Sequence, residues 1–375
     1  MKRLILSIIV SLITVYTTKA QDKEFVLQGM IGGLQDQTIY LYKNNGEKSV
    51  LIDSVKIKNG DFKFSGKCKQ AFAAELRITK WKKCKLFLSP TNMNIIIHAK
   101  DFKHKFAIGK LKGSPAQDRY EDFLIKLKEN NKQKLKIADN LEIPEVYNDS
   151  IKKAKFMAEY KRLNQFKNKY YYKYASSPVI PYLIYQDYFR AKKGIEYVKE
   201  QLKTLKQANP NGLYVNNLEK RVNTIETLNG NGQFPYFKAK TLNGDLYDLA
   251  KQKGKPILLY IWRTWTQEQN KEFYTNIQEI TSTHPTLEVV SIMRNSSFNM
   301  VQIKGSAIAK NWHPESKPEL NCIEIESLDH SVDFIRYLDR SFKAFLLDSE
   351  GNIIYKQNKF DPEILKTELS KHLSN

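Results

Sequence analysis

Thiol chemistry depends on where the cysteines fall, and this chain has three: Cys68, Cys84 and Cys322. No two of them form Cys-x-x-Cys, the spacing that lets one sulfur attack a disulfide while its neighbour resolves the mixed intermediate. Cys68 and Cys84 fall in neighbouring β-like runs and are a candidate disulfide, a staple worth about 3 kcal/mol if it closes. Cys322 follows Trp312-His313-Pro314 in an irregular stretch and is either a lone functional thiol or an idle one. The odd count leaves at least one cysteine unpaired within the chain. The six His are scattered and none has metal-ligand spacing to a Cys, so no metal and no cofactor is expected. Asp53 and Asp61 suit a strand end and a turn better than acid/base catalysis. There is no Gly-rich phosphate loop and no Gly-x-Ser-x-Gly. Tyr170-Tyr171-Tyr172 and Tyr174 are either a packed helix face or a platform on which sugar rings stack.

The elements that would position these residues fall into three stretches. From Phe25 to about Gly113, short β-rich runs alternate with turn residues: Thr38–Tyr42, Val50–Val55, Phe62–Phe64, Ala74–Ile78, Lys85–Leu88 and Asn94–His98. Asn59-Gly60 predicts a hairpin in which Ile57, Phe62 and Phe64 share a face. This is the pattern of a small antiparallel β-sandwich over residues 21–113. Residues 114–232 read as a helical connecting region that opens at Gly113-Ser114-Pro115. Pro178 and Pro181 separate its tyrosine-rich helix from the next, Tyr182–Phe189, and Asn229-Gly230-Asn231-Gly232 closes it. Residues 233–375 alternate strand and helix: an apolar strand Pro256–Trp262, a helix from about Gln267 to Thr281, a strand Leu287–Met293, a hairpin around Ser349–Asn352, and a last helix, Pro362–Leu373, with Ile364, Leu365 and Leu369 on one side. This order predicts a thioredoxin-like α/β domain.

Phe234-Pro235-Tyr236-Phe237, Thr241-Leu242-Asn243-Gly244, Leu249 and Gly254-Lys255 before Pro256–Trp262 resemble the opening of the TlpA/ResA-like thioredoxin domains, which are exported thiol-disulfide oxidoreductases. The family signature is Trp-x-x-Trp-Cys-x-x-Cys. Here Trp262 and Trp265 match both tryptophans, while Thr266 and Gln269 stand where the two cysteines would be. Active members also carry a cis-Pro facing the cysteine pair, and the run Phe342–Asp348 puts Phe342 at that position. The N-terminal motifs, from Gly29 and Ile31 to Gly113-Ser114-Pro115, resemble the β-rich domain of unknown function that precedes TlpA-like domains in many envelope proteins.

The resemblance implies a redox site that has lost its sulfur. In an active domain the helix N-terminus lowers the pKa of the first cysteine, which attacks as a thiolate. A Thr hydroxyl ionises far above neutral pH and forms no disulfide, so Thr266 is expected to cap the helix instead. The groove around Trp262, Trp265, Thr266 and Phe342 would then bind an unidentified envelope protein or peptide. Two alternatives stand beside this: an oxidoreductase working through Cys322, and a glycan- or polymer-binding module.

Residues 1–20 have the three parts of a secretory signal: basic Met1-Lys2-Arg3, apolar Leu4–Val15, and small residues at Thr18-Lys19-Ala20. Export to the periplasm or cell envelope is expected, with no stable membrane insertion after cleavage. The net charge is +21, carried by 51 Lys and 10 Arg. Lys solvates surfaces, whereas Arg forks onto phosphate, so the balance argues against a nucleic-acid partner.

Overall fold

The computed structural model describes residues 22–46, 48–79, 81–103, 111–191, 194–262, 267–295, 321–328, 343–358 and 361–373. The expected export signal lies outside these residues. The chain divides into two compact units, residues 1–218 and 219–375.

The first unit begins with seven strands: β1 (Lys23–Gly32), β2 (Thr38–Asn44), β3 (Ser49–Lys56), β4 (Asp61–Cys68), β5 (Phe72–Arg77), β6 (Lys83–Leu88) and β7 (Asn92–His98). They form two sheets, ordered β4-β1-β7 and β3-β2-β5-β6. Alternation along the strands sends Leu27, Phe64 and Ile95 from one sheet and Ile39, Leu41 and Leu86 from the other into a common core. The sandwich is not wholly antiparallel, as the sequence had suggested. β1 pairs in parallel with β7, from Val26↔Asn92 to Gly32↔His98.

Asn59 and Gly60 carry φ of 52° and 90°. Lys58 and Asp61 exchange backbone hydrogen bonds across them at 3.3 and 2.9 Å. This is the two-residue turn that Asn-Gly favours, since both central residues need positive φ. The expected hairpin nevertheless ends at that single bridge. β3 continues against β2 and β4 against β1, so the turn carries the chain from one sheet to the other. Ile57, Phe62 and Phe64 are all buried, as alternation requires.

Seven helices follow: α1 (Pro115–Leu141), α2 (Pro144–Tyr147), α3 (Ser150–Asn164), α4 (Phe166–Lys173), α5 (Val179–Ala191), α6 (Ile195–Ala208) and α7 (Leu213–Asn229). The division between the two units falls inside α7. Gly113 has φ of 86°, and a Cβ there would lie 2.4 Å from the Asn92 carbonyl oxygen, so only glycine fits the approach to α1. Ser114 caps α1 by accepting from the Gln117 N–H (3.2 Å) and donates its own hydroxyl to the Phe87 carbonyl (2.6 Å). The Gln117 side chain accepts from the Phe87 N–H at 2.7 Å, so the start of α1 is fastened to β6 twice. α5 begins before its expected start. Pro181 sits inside its first turn, where a missing N–H costs no intrahelical bond.

Tyr214 on α7 is buried beside the end of the β2–β5 ladder. Its hydroxyl accepts from the Ala73 N–H at 2.6 Å and donates to the Asn44 carbonyl at 2.7 Å. Glu75 on β5 is buried and accepts from Arg77 Nε at 2.9 Å and Lys83 Nζ at 3.4 Å. Burial opposes its ionisation, but the Arg77 hydrogen bond and the charges of Lys83, Arg77 and Lys85 outweigh it, so the carboxyl titrates below its ordinary range.

The second unit contains a short hairpin, β8 (Lys238–Lys240) and β9 (Leu246–Asp248), then β10 (Ile257–Trp262), α8 (Gln267–Thr283), β11 (Glu288–Asn295), β12 (Ile323–Leu328), β13 (Lys343–Leu347), β14 (Ile353–Gln357) and α9 (Pro362–Leu373). Five strands form one sheet, ordered β12-β11-β10-β13-β14. β10, β11 and β12 are parallel to one another, β13 pairs antiparallel with β10, and β14 pairs antiparallel with β13. Ile257–Ile261 are all buried, as expected of a strand covered on both faces. On one face Leu258 and Tyr260 pack with Tyr274, Ile277 and Ile280 of α8 and Leu365 and Leu369 of α9. Ile364 does not join them: it is 53% exposed, because only the Leu365 and Leu369 side of α9 meets the sheet. A β-α-β crossover followed by an antiparallel hairpin and a closing helix is a thioredoxin-like arrangement.

Two outcomes check these contacts. Tyr214→Phe leaves the Ala73 N–H and Asn44 carbonyl without their shared partner and should cost about 1–3 kcal/mol in urea unfolding. Arg77→Met removes the shorter of the two cationic contacts of Glu75, leaving Lys83 at 3.4 Å, and should cost about 1–3 kcal/mol at neutral pH. Because the folded-state pKa of Glu75 is depressed, its stabilising contribution is present above its unfolded-state pKa and fades as pH falls through the folded value. The gap between wild type and Arg77→Met should therefore narrow in acid, and a gap independent of pH would contradict the assignment.

Candidate functional site

β10 ends at Trp262 and α8 begins at Gln267, so a helix N-terminus follows the C-terminal end of the central strand. Such an end presents unpaired N–H groups and the positive pole of the helix dipole. Trp262 closes β10, and Gln269 belongs to the first turn of α8. Trp265, Thr266 and Phe342 lie outside the described residues. Lys343, the residue after Phe342, pairs with Ile261, one position before Trp262.

Cys322 stands elsewhere. It precedes Ile323, which pairs with Val290 on β11, and Val290 pairs with Leu259 on β10. The same registers carry Trp262 across to Met293 and Glu326. Cys322 is thus four positions below the Trp262 level, about 13 Å along the strand direction, just before the edge strand β12. It is half-buried against the core that includes Tyr274, two turns into α8. Burial, with Glu324 and Cys322 nearby, pushes the Tyr274 hydroxyl up to about 12.

Cys68 and Cys84 do not form the candidate disulfide. Their strands are not neighbours: Cys68 ends β4 in one sheet, and Cys84 lies on β6 at the edge of the other. Both are buried in the shared core, and burial pushes the Cys68 thiol up, away from reactivity.

The tyrosine run is divided by helix geometry. Tyr170 and Tyr171 are buried, with their rings 5.2 and 5.8 Å from that of Phe123 on α1. The Tyr170 hydroxyl donates to Asp122 at 2.6 Å, and burial, then this bond, pushes its pKa up to about 12. Asp122 also meets Lys126 (2.7 Å) and Arg119 (3.3 Å), and the Lys126 and Tyr170 hydrogen bonds hold its carboxyl below the ordinary range. Arg119 lies 3.7 Å from the centre of the Tyr174 ring. The Tyr171 hydroxyl donates to Asp187 at 2.8 Å. Tyr172 alone stands out, 75% exposed. Between α1, α3 and α4 lies an open cleft of about 430 Å³, lined by Lys126, Asn130, Arg162, Lys169, Tyr170 and Tyr174 among others. This cluster was missed in the sequence. Its signal was the spacing of Arg119, Asp122 and Lys126, which places all three on one side of a helix with Tyr170 and Tyr174 opposite. Among the described residues no group of three or more His, Cys, Asp or Glu could hold a metal ion, and no helix is long and apolar enough to cross a membrane.

Residues 25–120, from β1 into the first turns of α1, match the family model described as a domain of unknown function, DUF4369. No curated protein matches the chain. Over about a third of its length the chain is similar to solved structures. One is a secreted Mycobacterium tuberculosis disulfide oxidoreductase homologous to E. coli DsbE, with 19% identity over 36% of this chain and 95% of that chain, at a TM-score of 0.27. Another is a thiol:disulfide interchange protein from Bacteroides sp., with 18% identity over 39% and 91% of the two chains, at a TM-score of 0.30. A third is StoA from Bacillus subtilis, with 20% identity over 36% and 95%, at a TM-score of 0.26.

The division of the tyrosines has a measurable consequence. Tyr171→Ala empties a packed, hydrogen-bonded position and should cost about 3–5 kcal/mol. Tyr172→Ala should change stability by less than about 0.5 kcal/mol. Equal losses for the two in thermal or urea unfolding would refute the division into one packed and one exposed ring.

Proposed function

We propose that this is an exported, thioredoxin-like envelope protein that binds a partner and does not exchange disulfides with it. One observation carries the reading: the sequence places Thr266 immediately before α8 and Gln269 in its first turn, where disulfide exchange needs two sulfurs. The fold supports the comparison, because β10 leads into a helix start at the level expected for a redox motif. Thr at such a start serves as an N-cap, satisfying orphan N–H groups with a neutral oxygen. It supplies no thiolate to attack a client and no leaving group to release one.

The position of Cys322 supports the same conclusion. A substitute nucleophile would have to reach a client bound at the start of α8. Cys322 adjoins the edge strand four positions below that level and packs against the core. Binding would use the groove named from the sequence, around Trp262, Trp265, Thr266 and Phe342, with an envelope protein or an extended peptide as the occupant. A second reading, glycan or polymer binding, draws on the cleft in which Tyr170 and Tyr174 stand among Lys126, Lys169 and Arg162.

The secreted form should reduce insulin disulfides no faster than the buffer blank, and Cys322→Ser should leave that unchanged. Insulin reduction that disappears in Cys322→Ser would replace this reading with a one-cysteine oxidoreductase. The double variant Thr266→Cys/Gln269→Cys should form an intramolecular disulfide under oxidising conditions, read as a mass loss that dithiothreitol reverses. If no such bond forms, the placement of residues 266 and 269 at the helix start is wrong.

A further inference from the structure

The turn between β5 and β6 is held tightly yet presents the least expected side chain on the surface. The Ile78 N–H donates to the Lys82 carbonyl at 3.0 Å, and the Thr79 hydroxyl accepts from the N–H groups of Trp81 (3.3 Å) and Lys82 (3.1 Å). At this tip Trp81 is 71% exposed. Tryptophan is highly buried on average in folded chains, so a fixed turn that holds one out into solvent needs an explanation.

Its surroundings narrow the choice of partner. Lys80 and Lys82 flank Trp81 in sequence. Sheet register brings more cations to the same end: Lys56 closes β3 opposite Thr38, which opens β2, and the turn from Lys58 follows where the Ile57 N–H meets the Gln37 carbonyl at 2.9 Å. Lys56, Lys58 and Lys82 are all exposed. Acids at this end include Asp36, Asp61 and Asp101, which accepts from the His98 N–H at 3.2 Å, while Glu75 is already matched by Arg77 and Lys83. An exposed indole at an end of the sandwich that also carries exposed lysines differs from the charge-depleted centre of a protein–protein interface. It does match a bilayer surface, where an amphipathic ring settles among the headgroups and lysines are drawn to anionic lipid.

We propose that the β5–β6 end of the sandwich docks the protein on an anionic membrane surface, with Trp81 seated at headgroup depth and Lys56, Lys58 and Lys82 facing the lipid charge. Neither the ring nor the lysines suffice alone, since peripheral attachment usually needs two weak signals together. The docking is independent of whether the second unit exchanges disulfides.

The test is co-sedimentation of the secreted form with phosphatidylcholine vesicles, with and without phosphatidylglycerol. The wild type should bind the anionic vesicles only, and Trp81→Ala should weaken that binding about tenfold. Lys56→Glu/Lys82→Glu should weaken it as much, and the wild type should be released at about 1 M salt, where the Debye length falls to about 3 Å. Brominated lipid should quench tryptophan fluorescence in the wild type but not in Trp81→Ala. All three substituted positions are exposed, and unchanged melting temperatures would exclude misfolding. Failure to bind anionic vesicles, equal binding to neutral ones, or undiminished binding by Trp81→Ala would overturn the proposal.

Discussion

A strand of five consecutive buried residues, Ile257–Ile261, governs the C-terminal unit. Such a run has no solvent-facing side and must be covered on both faces and paired along both edges. β11 pairs one edge in parallel and β13 pairs the other antiparallel. A parallel neighbour requires a crossover, and α8 is part of it. The helix must then start near the C-terminal end of β10, and β13 must begin beside Ile261. The candidate site is a consequence of that pairing. Two positions distant in sequence, the start of α8 and the start of β13, come to the same end of the sheet because both follow from how the central strand is paired.

The N-terminal unit solves a different problem, since its sandwich has helices to attach. Polar groups do the attaching. Ser114 and Gln117 join the first turn of α1 to Phe87, and Tyr214 joins α7 to the open end of the β2–β5 ladder. In each case a side chain satisfies a strand N–H or carbonyl that the sheet leaves without a strand partner. The helices therefore complete hydrogen bonding that the sheet leaves open.

Local signals carried much of this. Asn59-Gly60 announced a turn with two positive φ values, Ser114-Pro115 announced a helix start, and Ile257–Ile261 announced a strand buried on both faces. What the sequence hid was pairing over distance. β1 and β7 are separated by 59 residues, and nothing in either strand says that they run parallel. The Asn-Gly turn joins strands that separate at once, because turn geometry sets two residues while the core decides where the strands go. The same gap misled the pairing of Cys68 with Cys84: both alternate inward, but from different sheets. In the helical stretch the run of tyrosines was plain, whereas its division into packed Tyr170 and Tyr171 and exposed Tyr172 followed from where Phe123 and Asp122 lay on another helix.

On the proposed reading, replacing sulfur by a hydroxyl changes the meaning of a helix end without changing its geometry. The unpaired N–H groups at the start of α8 would stabilise a thiolate if one were present, and that stabilisation is what makes such a cysteine reactive. Given a neutral hydroxyl, the same N–H groups gain an ordinary cap, worth about 1 kcal/mol to the helix. The electrostatic preference that served chemistry then serves stability. On that reading the unit would also lose any coupling between its redox state and its fold, since no bond at that end would form or break with the surrounding potential. A binding groove at that end can then hold its occupant for as long as contact energy allows, because no covalent step forces release.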